Sequence, residues 1–141
     1  MSYIGTYKLT HMKFLNGKQT IEEIVADMDE EQRRGFLHKM PERIIVREDG
    51  TMTTGMRVPE NLTEEMLAEA KKVMPEMEII DGFLFPNDKA SVQNYKVEDG
   101  KFYLENTNKS GAYGPEPWLL ASTEVEGEIS VLGISFYQKM D

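Results

Sequence analysis

The fold is decided by the stretch YIGTYKLTHMKF, which runs from Tyr3 to Phe14. It is dense in β-branched and aromatic residues, and Tyr7, Leu9 and His11 share one side at alternate positions, which predicts a strand. A second long strand is predicted over Glu128–Met140, at the other end of the sequence. If these two strands pair, the sheet between them closes on itself and neither edge stays exposed.

Between the two terminal strands, the pattern predicts shorter strands joined by tight turns. Asp49-Gly50, Asp99-Gly100 and Glu126-Gly127 each separate two alternating runs, and Asp-Gly is a strong hairpin signal because both residues tolerate positive φ. Neighbouring hairpins favour an up-and-down antiparallel β-barrel of about eight strands over a Greek-key sandwich. The eight predicted strands are Tyr3–Phe14, Arg43–Glu48, Thr51–Val58, Met77–Phe85 (with a bulge or turn at Asp81-Gly82), Ser91–Val97, Lys101–Thr107, Trp118–Val125 and Glu128–Met140.

Two helical segments interrupt this mainly β pattern. Thr20 and Glu23 have capping-box spacing, and Thr20–Lys39 is predicted to form a helix-turn-helix or one bent helix after strand 1. An amphipathic helix is predicted over Leu62–Met74, after strand 3. The longest irregular piece is the loop Asn108–Pro117, which is rich in Gly, Pro and Asn.

Length and composition limit the classes of function. The 141 residues suit a single domain, 1–141, with one sizeable core. A net charge of −9 argues against nucleic acid as a partner, because phosphate binding needs a concentration of Lys and Arg. The absence of cysteine excludes disulfides and thiolate metal sites. No apolar run has the length of a membrane span and no secretion signal is recognisable, so a cytoplasmic location is expected, without a cofactor.

At Gly5-Thr6-Tyr7-Lys8-Leu9 the chain resembles the calycins, the superfamily of lipocalins and fatty-acid-binding proteins. Those families open strand 1 with Gly-x-Trp, and Tyr7 stands here in place of the Trp. A helix-turn-helix like the one predicted over Thr20–Lys39 covers the barrel of fatty-acid-binding proteins, and Ile134–Lys139 is similar to their closing strand. The resemblance implies a calycin-like barrel that holds a ligand.

One departure from that family concerns the ligand. Fatty-acid-binding proteins commonly carry an Arg two residues before the Tyr of the last strand, where it pairs with the ligand carboxylate. Here Tyr137 is retained, but Ser135 occupies the position of the Arg. The resemblance therefore does not carry over that carboxylate anchor.

Four aromatic side chains with a polar tip are the best candidates for lining a cavity. Their rings suit the apolar part of a ligand and their polar atoms its polar part. Filling the core or lying on the surface is the commoner outcome for any one of them, so the prediction rests on the group. These residues are Tyr95, Tyr103, Trp118 and Tyr137.

Arg57 is the predicted polar anchor for a ligand. It shares a strand side with Thr53 and Gly55, which leaves room beside it, and a guanidinium offers two parallel hydrogen bonds to a carboxylate or phosphate. His11 is a further candidate for a ligand-binding residue. The other interpretations are a hydrogen-bonded strand residue and the polar group of an enzyme. His11 and His38 are the two histidines of the sequence, and no other potential metal ligands occur at a characteristic spacing from them. No metal site is therefore predicted.

Tyr7 is predicted to be structural. If the terminal strands pair, Lys139 could lie over its ring in a cation–π contact, while the ring itself plugs the bottom of the barrel.

The hypothesis that follows is a small soluble binding protein with an apolar or amphipathic small molecule inside a β-barrel. Two alternatives stay open. A barrel filled by its own side chains would act through its surface as a regulatory or protein-interaction module. A small-substrate isomerase or hydratase would need a polar group of shifted pKa in the cavity, and His11 is the sole sequence evidence for it. No catalytic motif is recognisable.

Overall fold

The structure, a computed structural model, describes residues 2–15, 17–107 and 114–140; most of the predicted loop Asn108–Pro117 lies outside them. The described chain is mainly β, with three helices. Its strands are β1 (Gly5–Phe14), β2 (Gly17–Thr20), β3 (Arg43–Val46), β4 (Thr51–Arg57), β5 (Glu78–Ile80), β6 (Phe83–Phe85), β7 (Gln93–Glu98), β8 (Lys101–Glu105), β9 (Trp118–Leu120), β10 (Glu128–Val131) and β11 (Ser135–Lys139). Its helices are α1 (Ile21–Val25), α2 (Glu30–Lys39) and α3 (Glu64–Val73).

The strands form one antiparallel sheet in the order β10-β11-β1-β3-β4-β7-β8-β9, curled into a half-barrel. The predicted pairing of the terminal strands is confirmed, with Tyr7 opposite Lys139 and Leu9 opposite Tyr137. At the two ends of the order, one bridge joins Ser122 to Ile129. A continuous ladder that would close an eight-stranded barrel is not present in the described part of the chain.

Two of the predicted strands are each broken into a hairpin. Glu128–Met140 divides into β10 and β11 because Leu132 and Gly133 both take positive φ, and the Ile134 N–H donates to the Val131 carbonyl at 3.1 Å. The run around Gly133 carries no polar turn residue, which is why alternation alone predicts one strand there. Met77–Phe85 divides at Asp81-Gly82 into β5 and β6, which leave the main order and attach to β4.

The tight turns follow the sequence closely. At Asp99-Gly100 both residues take positive φ in a two-residue turn between Glu98 and Lys101, as predicted. The Asp49-Gly50 hairpin also forms, but the loop has three residues because the Arg47 N–H pairs with the Thr51 carbonyl at 2.9 Å. With this loop length, Val46 of β3 lies opposite Met52 of β4.

The helices begin at capping residues, and the predicted cap at Thr20 is confirmed. Thr20 forms a capping box with Glu23, and Asp29 forms a second with Gln32, so that each satisfies two backbone N–H groups. The predicted amphipathic helix is α3, which begins after Thr63 and has no buried residue. None of the helices in the described residues is long and apolar enough to cross a membrane.

The curled sheet has two different ends. At the mouth end β1 finishes, β10 turns into β11, and α1 and α2 are attached; Ile21 and Phe36 pack against the core there. At the opposite end, where β1 begins, Tyr3 packs on the core. The core lies on the concave face and consists of Tyr7, Leu9, Met40, Ile44, Val46, Met52, Phe102, Leu104, Ala121, Ile129 and Tyr137.

Two glycines differ in how much space surrounds them, Gly55 on β4 and Gly35 on α2. A Cβ at Gly55 would lie 2.5 Å from Phe85 Cε1, because the ring of Phe85 covers the outer face of β4, whereas a Cβ at Gly35 in α2 would meet nothing within 4 Å. We expect Gly55→Ala to lower the free energy of unfolding by about 1–2 kcal/mol through overpacking. Gly35→Ala should raise it by about 0.5–1 kcal/mol through helix propensity. Urea denaturation of both variants measures these opposite changes in the free energy of unfolding. Equal changes for the two variants would contradict the packing of β6 on β4.

Candidate functional site

The concave face is filled at the end where β1 begins. Tyr7 is fully buried and donates its hydroxyl to the Tyr3 carbonyl at 2.6 Å. Tyr3 in turn donates to the Gly100 carbonyl at 2.8 Å and packs its ring 5.1 Å from that of Phe102. Lys139, opposite Tyr7, donates its ammonium to the Ser2 carbonyl at 2.9 Å. These contacts leave no space for a ligand beside Tyr7.

Two of the predicted cavity aromatics face the core. Tyr137 is buried and donates its hydroxyl to the Pro41 carbonyl at 2.7 Å; burial, and then the charge of Glu42, raise the pKa of this phenol above its usual value. Tyr95 stacks on Phe102 with ring centroids 5.0 Å apart and donates to the Arg47 carbonyl. Burial likewise raises the pKa of Tyr95. Both hydroxyls are thus used by the protein's own backbone.

The other two aromatics lie on the opposite face of the sheet. Tyr103 alternates with the buried Phe102 and Leu104 on β8, and therefore faces outward. Lys96 lies over the Tyr103 ring at 5.5 Å and over the Trp118 ring at 5.1 Å. The structure does not bring the four aromatics together around one cavity.

His11 lies in a stack at the mouth end. Its ring is parallel to that of Phe136, with centroids 4.7 Å apart, and Nδ1 shares a 2.9 Å hydrogen bond with the Thr10 hydroxyl. The ammonium of Lys18 is 4.2 Å from the Phe136 centroid. Nε2 of His11 is buried without a hydrogen-bond partner in the described chain. No group of three or more His, Asp and Glu side chains in that part of the chain is arranged to hold a metal ion.

A small cavity opens at the mouth end and is called the mouth cavity here. It has a volume of about 170 Å³. Register places several of its lining residues on the core face, since Leu104 pairs with Leu119 and with the inward Tyr95, and Met52 pairs with Gln93. The described residues that line it are Gln93, Leu104, Glu105, Asn106, Thr107, Leu119, Leu120, Ala121, Val131 and Leu132.

The polar groups of the mouth cavity are mostly engaged by the protein. Gln93 donates Nε2 to the Glu105 carbonyl at 3.2 Å, and Asn106 donates Nδ2 to the Glu116 carbonyl at 2.8 Å. No hydrogen bond to the Gln93 side-chain oxygen is formed within the described residues, so one acceptor remains for a ligand. Glu105 and Thr107 are the other polar residues of the described lining, which contains no cation.

A larger cleft, here called the arginine cleft, lies outside the curled sheet, between α2, the end of β4 and β6. Its volume is about 490 Å³. One side of α2 enters it at helical spacing, which explains why residues three and four apart share the cleft. Its lining consists of Glu30, Arg33, Arg34, Leu37, His38, Arg57, Val58, Glu60, Gly82 and Phe83.

Arg57, the predicted anchor, enters this cleft and not the mouth cavity. Its Nε and Nη2 both donate to the carboxylate of Glu42, the latter at 3.1 Å, and these hydrogen bonds raise the pKa of the Arg57 guanidinium. The side chain of Glu42 is 8% exposed and that of Arg57 is 43% exposed. The room expected beside Gly55 is taken by the ring of Phe85.

Sequence reasoning missed Glu42. Counting by twos from the buried Ile44 and Val46 would have placed it on the core side of β3, and a buried carboxylate demands a cationic partner. Arg43, its neighbour, lies over the Phe83 ring at 4.2 Å, and burial lowers the pKa of that guanidinium. Glu42, Arg43 and Arg57 therefore form one charged cluster, of which Arg57 lines the arginine cleft.

Comparisons extend to protein-family models, curated proteins and solved structures, and none of the three returns a match to this chain. The functional argument therefore depends on the geometry of the two cavities. The mouth cavity is lined in part by the core residues Leu104 and Ala121, while the arginine cleft is lined by several charged side chains beside an apolar floor.

Proposed function

We propose that the protein binds a small uncharged apolar molecule in the mouth cavity, as a calycin-like binding protein. One observation carries the proposal: core-facing side chains from neighbouring strands surround about 170 Å³ of space at the mouth end. A cavity of about 150 Å³ with apolar walls is known to accept benzene, so the ligand is of that size class.

The chemistry of the wall narrows the ligand further. Leu104, Leu119 and Val131 offer apolar contact. The charged residue of the described lining is Glu105, whose carboxylate accepts a hydrogen bond from Asn94, so no cation is present there to bind an anionic ligand. The free oxygen of Gln93 favours a molecule with one N–H or O–H donor, such as an indole or a phenol. A fatty-acid chain would not fit, because Tyr7, Tyr137 and Phe102 fill the space beyond the cavity.

The proposal is tested by titrating benzene and indole into the protein, followed by calorimetry or amide NMR shifts. We expect saturable binding with a Kd of about 0.1–1 mM, as ligands of this few atoms permit. Val131→Phe should fill the cavity and abolish binding. Val73→Phe is the matched control, because Val73 is exposed on α3, and should leave the Kd unchanged.

Two outcomes would contradict the proposal. One is the absence of saturable binding by either probe; the other is an equal effect of the Val131 and Val73 variants. Either result would favour the filled sheet acting through its surface, which the buried Tyr7, Phe102 and Tyr137 already support on the core side. The isomerase or hydratase alternative gains no support from His11, because its ring is stacked on Phe136 outside the mouth-cavity wall.

A further inference from the structure

We propose that the arginine cleft binds a small organic anion with an apolar body, such as a carboxylate on a short alkyl or aryl group. The site is separate from the mouth cavity and does not depend on the proposed function. It combines guanidinium donors with an apolar floor of Leu37, Val58 and Phe83. An anion with an apolar tail is the ligand class that uses both features.

The first argument is the number of uncommitted donors. The guanidinium of Arg33 forms no hydrogen bond or ion pair with any described residue, and Arg33 lines the cleft from α2. Arg57 uses Nε and Nη2 on Glu42, which leaves Nη1 without a partner in the described chain. Two guanidinium groups thus present N–H donors to the same space.

His38 also lies in the cleft wall. Its Nδ1 is buried and has no hydrogen-bond partner within the described residues, so this atom adds no accessible donor to the cleft. The ring nevertheless lies next to the cleft, so its NMR signals report on an occupant.

The second argument is the position of the carboxylates. Glu30 and Glu60, in the cleft lining, lie 3.4 and 4.0 Å from Arg34 and are mostly exposed. Neither forms an ion pair with Arg33 or with the outer edge of Arg57, so these two groups stay accessible to an incoming anion. Glu42 holds Arg57 in place, so that its remaining donor is fixed before the ligand arrives.

The probe for the test is octanoate, with octan-1-ol as its neutral counterpart, in calorimetric titrations of the full chain. Arg33→Gln removes one donor group and, because the side chain is exposed and unpaired among the described residues, should leave the fold intact. We expect it to weaken octanoate binding about tenfold or more, the scale of a lost charge-assisted pair. Lys89→Gln is the matched control, because it also removes one positive charge from an exposed residue, but outside the cleft. It should change the Kd for octanoate by less than about twofold.

The controls separate this site from the mouth cavity. Val131→Phe should leave octanoate binding unchanged, and octan-1-ol should bind much more weakly than octanoate. A shift of the His38 ring signals in NMR on addition of octanoate would place the ligand in the cleft. The proposal is overturned if octan-1-ol binds as tightly as octanoate, if Arg33→Gln matches Lys89→Gln, or if Val131→Phe abolishes octanoate binding.

Discussion

Replacing Arg57 by Met is expected to lower the free energy of unfolding by about 3 kcal/mol. The carboxylate of Glu42 is buried and receives two hydrogen bonds from Arg57, so removal of the guanidinium leaves an uncompensated charge in the protein. The value lies at the low end for broken buried pairs, because Arg57 is 43% exposed and water can partly replace it.

A double-mutant cycle in urea denaturation measures this effect. Glu42→Met combined with Arg57→Met should recover most of the lost stability, since two apolar side chains of similar length leave no buried charge. Arg34→Met is the matched control, because its partners Glu30 and Glu60 are exposed, and should cost about 0.5 kcal/mol or less. If Arg57→Met costs no more than Arg34→Met, the Glu42–Arg57 pair is not formed in solution.

Stability is also expected to fall steeply above about pH 10, with Tyr137 as a main cause. Burial and the Glu42 charge raise the pKa of Tyr137 in the folded protein above the value of about 10 for an unfolded tyrosine. Its contribution is therefore fully present below pH ~10 and is lost as pH rises toward the folded-state pKa. Each pH unit in that window removes up to about 1.4 kcal/mol for this single proton.

Urea denaturation at about pH 9, 10 and 11, for the unchanged protein and Tyr137→Phe, measures the slope. The variant starts about 1 kcal/mol less stable, because the Pro41 carbonyl loses its donor, but its decline with pH should be shallower by one proton. Tyr95, whose pKa is also raised by burial, accounts for part of the slope that remains. If the free energy of unfolding fell equally with pH in the two proteins, the raised pKa of Tyr137 would be contradicted.

The local elements were predictable from sequence because they depend on neighbours in the chain. The Thr20–Glu23 capping box and the Asp99-Gly100 turn form as expected, since each is decided within a few residues. The pairing of the terminal strands was also predicted correctly. It came from the barrel hypothesis, in which pairing of the terminal strands leaves no edge of the sheet exposed, because no local pattern reports a contact between residues so far apart.

The main order contains eight strands, but they are not the eight that were predicted. The predicted strand Met77–Phe85 leaves that order, and Glu128–Met140 contributes two strands to it. Both differences depend on positive φ at a residue next to a glycine, Asp81 and Leu132. A bulge or turn was predicted at Asp81-Gly82, whereas alternation of apolar residues does not reveal the turn at Leu132.

The candidate sites were harder to predict than the fold. Arg57 was predicted to anchor a ligand inside the barrel, but it lies in the arginine cleft, and its partner Glu42 and its neighbours on α2 come together only through tertiary packing. The aromatics were grouped by residue type, and the pleat then separates the outward Tyr103 from the inward Tyr95. A ligand cavity depends on side-chain volumes across several strands, and periodicity along one strand cannot measure that.

The pairing of β1 with β11 also has a consequence for how the chain folds. Tyr7 and Lys139 are more than a hundred residues apart, so this ladder forms only after a long loop has closed, a step that slows folding. During synthesis β1 leaves the ribosome first, and one of its edges stays without a partner until Ser135–Lys139 emerges. For that interval the nascent chain carries an open strand edge, the kind of surface on which chains aggregate and to which chaperones bind.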